Sequence, residues 1–207
     1  KWLSKACDEA RDLDVFSNDN LQIVGPKAPL APRVAAARAE AHAKASAAVS
    51  SKRFRDLVLE TTAWVETGAW REDARGHRSA RDFAAKALDR RWKTLLKLGR
   101  DVKGLDDAGR HRVRIAAKKL RYAAEAFAPL FTAEPGRRFL KRLKALQDTL
   151  GALNDAAVAQ TLVARLAPTD SPAARDLLSA REARRPKALK QAARQMKTLA
   201  EAKPFWR

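Results

Sequence analysis

Cysteine is almost absent from this chain: Cys7 is the only one. That excludes an internal disulfide and a cysteine-built zinc site, and it fits a reducing compartment. Cys7 itself lies in a helical apolar pattern and reads as a small buried hydrophobe. Glycine and proline are scarce, 8 and 9 among 207 residues. Alanine and leucine dominate instead, which points to helices. No apolar run approaches the roughly 20 residues that span a bilayer. No secretory leader is recognisable, although the chain opens on Lys1 and not on Met, so this carries little weight. Acidic residues are outnumbered, 24 against 43 Lys+Arg, for a net charge of +19. Such an excess says nothing about fold. It predicts attraction to polyanions such as nucleic acid, an anionic membrane surface or polyphosphate. With 46% hydrophobic residues the chain is apolar enough to fold around a core rather than stay disordered.

Helical periodicity and its punctuation divide the chain. Leu3, Ala6, Cys7, Ala10 and Leu13 give Lys1–Phe16 a helical apolar face. Ser17–Pro32, with Gly25, Pro26, Pro29 and Pro32, reads as a loop. Arg33–Val49 is an alanine-rich helix, and Ser51 caps a further one to about Val65. Gly68–Gly76 is a turn region, and Ser79–Val102 a long helix. Gly104 breaks it, with Asp106 or Asp107 as the next N-cap. The helix that follows stops near Pro129. Pro135 and Gly136 open another, to about Leu166, and a last helix spans 173–200, kinked at Pro186. No segment reads convincingly as a strand. The expectation is an all-α helical bundle of about seven helices. Lys1–Phe16 also aligns without gaps on Lys144–Ala159, Leu3 with Leu146, Asp12 with Asp155 and Val15 with Val158, an offset of 143 residues. This is either an internal repeat or two ordinary amphipathic helices.

The distinctive stretch is HRVRIAAKKLRYAAEAF, His111–Phe127. On a helical wheel His111, Arg114, Lys118 and Arg121 fall within about 80° of one another, a charge row about 15 Å long. Val113, Ala116, Ala117, Leu120, Ala124 and Phe127 lie opposite and face a core. The preceding helix repeats the i, i+3, i+7, i+10 spacing with Arg90, Lys93, Lys97 and Arg100. Between Arg90 and Arg121 stand twelve Lys/Arg and three acids, Asp101, Asp106 and Asp107. Consecutive helices joined by a short turn are expected to lie antiparallel, so that both rows face one groove. The next helix opens with a third cluster, Arg137, Arg138, Lys141, Arg142 and Lys144. A charged helix face is usually just solvated. A solvated face, however, normally mixes signs, because like charges one turn apart repel. Rows almost purely positive, whose cations are expected to be unpaired within their helices, point to a polyanion site. Base-reading residues and stacking aromatics are missing from them: Trp92 and Tyr122 fall off the row axis. The rows therefore suit a ligand that is all phosphate.

His111–Phe127 resembles the signature helix of the CHAD family, the conserved histidine α-helical domain. The pattern His-x-x-Arg-hydrophobic-x-x-basic-basic-Leu-Arg is matched by His111, Arg114, Ile115, Lys118, Lys119, Leu120 and Arg121. FLKRLKALQDTLGALNDAAVA (Phe139–Ala159) and KWLSKACDEARDLDVF are similar to the helices that follow the family's two basic motifs, and KPFWR (Lys203–Arg207) to the ending of many of its bacterial chains. The resemblance implies one CHAD-like domain over 1–207, a two-repeat helical bundle around a basic groove. The first repeat's basic helix is missing, 33–102 supply the middle helices, and 106–166 the basic helices of the second repeat. Asp8 stands where the family usually has Gly. It further implies that the partner is inorganic polyphosphate, that the protein is cytoplasmic, and that it sits at polyphosphate granules in cells that form them. The polyphosphate-binding residues expected are Arg90, Lys93, Lys97, Arg100, His111, Arg114, Lys118, Lys119, Arg121, Arg138, Lys141 and Arg142.

Catalytic groups are hard to find. His42, His77 and His111 are the only histidines, and none has metal-ligand spacing. There is no P-loop, dinucleotide fingerprint or CYTH-type glutamate signature. The acidic pairs Asp12 with Asp14 and Asn154 with Asp155 read as structural, with Arg11–Asp12 an ion pair or cap. No metal or cofactor is expected. Three rivals to a non-catalytic polyphosphate binder remain. One is the accessory domain of a CYTH-type inorganic triphosphatase, another a nucleic-acid-binding helical protein, and the third a protein-interaction bundle.

Overall fold

The computed structural model describes residues 1–24, 29–72, 79–167 and 171–207, with backbone alone over 20–24. The described residues form seven α-helices and no strand: α1 (Trp2–Val24), α2 (Leu30–Val49), α3 (Lys52–Thr67), α4 (Ala80–Leu98), α5 (Asp107–Phe127), α6 (Ala133–Leu166) and α7 (Pro172–Ala200). Short 3-10 turns follow α3 (Ala69–Arg71) and α5 (Ala128–Leu130). Four starts are set by side chains that take an otherwise orphaned backbone N–H. Ser51 Oγ accepts from the Phe54 amide (3.2 Å), Ser79 Oγ from Asp82 (3.3 Å), Asp106 Oδ1 from Gly109 (2.7 Å) and Ser171 Oγ from Ala174 (3.3 Å).

Two boundaries differ from the sequence expectation. Ser17–Pro32 is not a loop throughout, because α1 continues as far as Val24 and α2 already begins at Leu30. Ser17, Asn18 and Asp19 are only weak helix formers, a penalty of a few tenths of a kcal/mol each, and do not break a helix. Pro32 falls in the first turn of α2, where its missing N–H has no intrahelical partner to lose. The helix from Ser79 does not reach Val102: it closes at Leu98, with Gly99 as the C-cap. Gly99 lies close against the end of the Met196 side chain of α7, which would have to shift to admit a Cβ there. Arg100 consequently lies past the helix end. Pro186 does lie inside α7, at the cost of one backbone hydrogen bond.

The chain divides into two compact units, Lys1–His77 with Val158–Arg181, and Arg78–Ala157 with Glu182–Arg207. In the first, Ala10, Leu13 and Phe16 of α1 are buried with Leu30, Val34 and Ala41 of α2, Ala159, Leu162 and Val163 of α6, and Ala174 and Leu177 of α7. Asp14 of α1 binds both Arg38 and His42 of α2, and the hydrogen bond from His42, then that from Arg38, holds its carboxyl below the usual range. Helix α3 contributes no buried residue, and Leu57, Val58, Leu59, Trp64 and Val65 are exposed on it.

The second unit holds the larger core. Leu88, Trp92 and Leu95 of α4 meet Val113, Ala117, Leu120 and Ala124 of α5, Phe139, Leu143, Leu146 and Leu150 of α6, and Met196 and Leu199 of α7. The C-terminal Phe205 and Trp206 close it. Trp92, Phe139, Phe205 and Trp206 stack edge to face, with ring centroids 5.0–6.4 Å apart.

Candidate anion-binding face of α5 and α6

Helix α5 is amphipathic as its spacing requires. Its core stripe, Val113, Ala116, Ala117, Leu120 and Ala124, is buried. At its start, Arg110 is 5% exposed. Its guanidinium donates to the Leu105 carbonyl and, at 2.7 Å, to Asp107 Oδ1, which also accepts from Arg185 of α7 at 2.9 Å. The Arg110 hydrogen bond is the main reason why the Asp107 carboxyl lies below its ordinary range; Arg185 adds to it, against some desolvation.

The basic row starts one residue later and runs along a seam with α6. His111 Nδ1 is 2.7 Å from Asn154 Oδ1. Arg114 faces Gly151, where a Cβ would stand 3.9 Å from its Nε, an ordinary contact distance. Arg121 Nε donates to Gln147 Oε1 at 2.7 Å. Residue numbers rise along α5 while their partners' numbers fall along α6, so the two helices are antiparallel here. Lys118, between Arg114 and Arg121, holds its Nζ 5.7 Å from the Tyr122 ring centroid, and Arg121 Cζ is 4.8 Å from the same ring.

The cations of the rows are not equally free. Arg121 is bound by Glu125 at 2.8 Å, one turn on. Glu134 takes Arg137 at 2.5 Å and Arg138 at 3.8 Å, and Lys144 takes Asp148 at 2.8 Å. The expectation that the cations are unpaired within their helices therefore fails at Arg121 and Arg138, which pair with Glu125 and Glu134. Among the described residues Arg90, Lys93, Lys97, Arg100, Arg114, Lys118, Lys119, Lys141 and Arg142 form no ion pair. Arg114 is the most unusual of them. Its Nε is buried and has no hydrogen-bond acceptor, an arrangement that costs about 1–3 kcal/mol unless an acceptor arrives.

Arg90, Lys93 and Lys97 are exposed on α4, and Arg138, Lys141 and Arg142 are exposed near the start of α6. No hydrogen bond, ion pair or ring contact among the described residues ties the α4 row to the α5 row. His77 lies outside the described residues. Those residues contain no cluster of His, Cys, Asp or Glu that could hold a metal ion. None of their helices is long and apolar enough to cross a membrane.

Three residues of the seam had no expected role at this site: Gln147, Gly151 and Asn154. Their signal was present as a polar or small stripe at 4–3 spacing beside the apolar stripe Leu143, Leu146, Leu150, Leu153. Tyr122 was set aside as lying off the row axis, yet Lys118 and Arg121 lean on its ring.

An all-helical protein with a cation row facing a polar helix stripe is the class that these observations define. The family model for the CHAD domain matches residues 1–164. A crystal structure of the CHAD domain from the plant Ricinus communis is 33% identical, with a TM-score of 0.78 over 96% of this chain and 70% of that one. The chain belongs to the CHAD domain family. No curated protein sequence matches it.

Proposed function

We propose that this protein binds inorganic polyphosphate without transforming it, through the α5 row (His111, Arg114, Lys118, Lys119, Arg121), with Arg90, Lys93, Lys97 and Arg100 and with Arg138, Lys141 and Arg142 as further phosphate contacts. The observation that carries this reading is the buried Nε of Arg114, a donor without an acceptor in a row that also offers the unpaired Lys118. A phosphate oxygen would supply the acceptor this donor lacks. Arg114 and Lys118, one turn apart, would meet successive phosphates of one chain, the arginine by a directed bond and the lysine as a point charge. Counterion release then makes affinity fall steeply with salt. Binding of this kind would hold the protein in the cytoplasm at polyphosphate granules, where a cell forms them.

Nucleic acid is the second reading, and Tyr122 favours it, being 50% exposed beside the row. One ring is a short platform, however, and Lys118 and Arg121 already lie over it. A binding titration of long-chain polyphosphate at two salt concentrations, against wild type and Arg114→Ala/Lys118→Ala, tests the first reading. Each lost contact should weaken binding by on the order of 1 kcal/mol, and the double variant should show a shallower salt dependence. Unchanged affinity in the double variant would remove the α5 row from the site.

A further inference from the structure

We infer that Asn154 is a positioning residue that fixes His111 in one tautomer, so that His111 joins the proposed site only by taking up a proton; this rests on the reading of the α5 row as a polyphosphate site. The geometry is specific. His111 Nδ1 lies 2.7 Å from the carbonyl oxygen of Asn154, which can only accept. The ring hydrogen of neutral His111 is therefore on Nδ1. Nε2 carries a lone pair and has no hydrogen-bond partner among the described residues.

A lone pair repels a phosphate oxygen, and an N–H attracts it. Neutral His111 thus presents the wrong pole to the ligand, and the imidazolium the right one. The hydrogen bond to Asn154 survives either way, because Nδ1 donates in both forms. Protonation changes Nε2 alone. A row headed by arginine would be positive at every pH; a row headed by this histidine gains a donor only as the proton arrives.

The surrounding charges set the sense of the coupling. On α5, Arg110, Arg112 and Arg114 flank His111, and Asp107 lies one turn before it. Asp107 is engaged by Arg110 and by Arg185 of α7. On α6, Asp155 adjoins Asn154 and Arg114 lies against Gly151. A bound polyanion adds negative charge beside the ring and stabilises its imidazolium form. Polyphosphate binding and protonation of His111 therefore favour each other, one proton entering from solvent at Nε2 per chain segment bound.

Two measurements test this. The first is ¹⁵N NMR of the imidazole nitrogens of the ligand-free protein above about pH 8, with His111 assigned by His111→Gln. The Nδ1–H tautomer is expected in wild type and a mixture in Asn154→Leu. A wild-type Nε2–H tautomer overturns the proposal. The second is the polyphosphate affinity between about pH 5.5 and 8. Wild type should tighten by roughly tenfold towards acid, the worth of one charge-assisted bond. His111→Gln should be much flatter. Asn154→Asp, which keeps the acceptor and adds a negative charge, should move the tightening to higher pH. A wild-type profile that matches His111→Gln overturns the coupling while leaving polyphosphate binding in place. Absence of binding at every pH, or binding that Arg114→Ala/Lys118→Ala leaves intact, sinks the site itself, and the coupling with it.

Discussion

The indole N–H of Trp206 donates to Asp89 Oδ1 at 2.8 Å, joining the last turn of the chain to the middle of α4. Arg207 Nε reaches the same oxygen at 3.0 Å. Burial opposes the charge on Asp89, but these two hydrogen bonds outweigh it and hold the carboxyl below its usual range. Trp206 is 4% exposed and packs on Trp92 and Phe139.

The tail is thus part of the core. Trp206→Ala should cost about 3–5 kcal/mol, as large-to-small changes at buried aromatics do. Urea unfolding followed by circular dichroism measures it. A loss below about 1 kcal/mol would mean that the tail packs loosely on α4.

Asp107 predicts the acid limb of stability. Its folded carboxyl titrates below the value of 3.8 expected without its partners, chiefly because Arg110 bonds to it. A depressed carboxylate contributes fully above its unfolded value and loses that contribution as pH falls through its folded one. Stability should therefore drop below about pH 4. Asp107→Asn should flatten that drop in thermal melts run from pH 7 to pH 2.5. It should also cost about 1–3 kcal/mol at neutral pH, because the nearly buried Arg110 loses its charged partner. A variant with an unchanged acid limb would assign the loss to other carboxylates, Asp89 and Asp14 first.

Much of this was legible in the sequence. Ser51, Ser79 and Asp106 announced their helix starts because an N-cap is a local device, readable three residues at a time. The split of α5 into a buried stripe and a basic row followed from a 3.6-residue period alone. What lies across from the row was not legible, because pairing His111 with Asn154 spans 43 residues and depends on the register between two helices. Arg121 was expected to be unpaired, but Glu125, one turn beyond the end of the row, binds it. The end of α1 was misplaced because Ser17, Asn18 and Asp19 are weak helix formers rather than helix breakers, and the helix runs on through them to Val24. The place of Trp206 in the core is a tertiary fact with no local signal.

Gly151 separates the roles of room and charge at the seam. Its missing Cβ is not sterically required against Arg114, at 3.9 Å. Gly151→Ala should leave polyphosphate affinity within about twofold and gain slightly in helix stability. Gly151→Asp would set a carboxylate beside Arg114 and occupy its free donor. Polyphosphate affinity should then fall at least as far as in Arg114→Ala, with thermal stability held or raised. Gly151→Asp binding as tightly as wild type would show that Arg114 meets no phosphate.

The central claim is that the α5 row recognises a chain of phosphates rather than charge in general. The most direct test binds labelled long-chain polyphosphate to the protein and challenges it with double-stranded DNA of equal total charge. Wild type runs beside Arg114→Ala/Lys118→Ala, which spares Arg121 because its bonds to Gln147 and Glu125 are structural. The account predicts binding that DNA displaces poorly and that the double variant loses. Equal competition by DNA, or a double variant that binds like wild type, would contradict it.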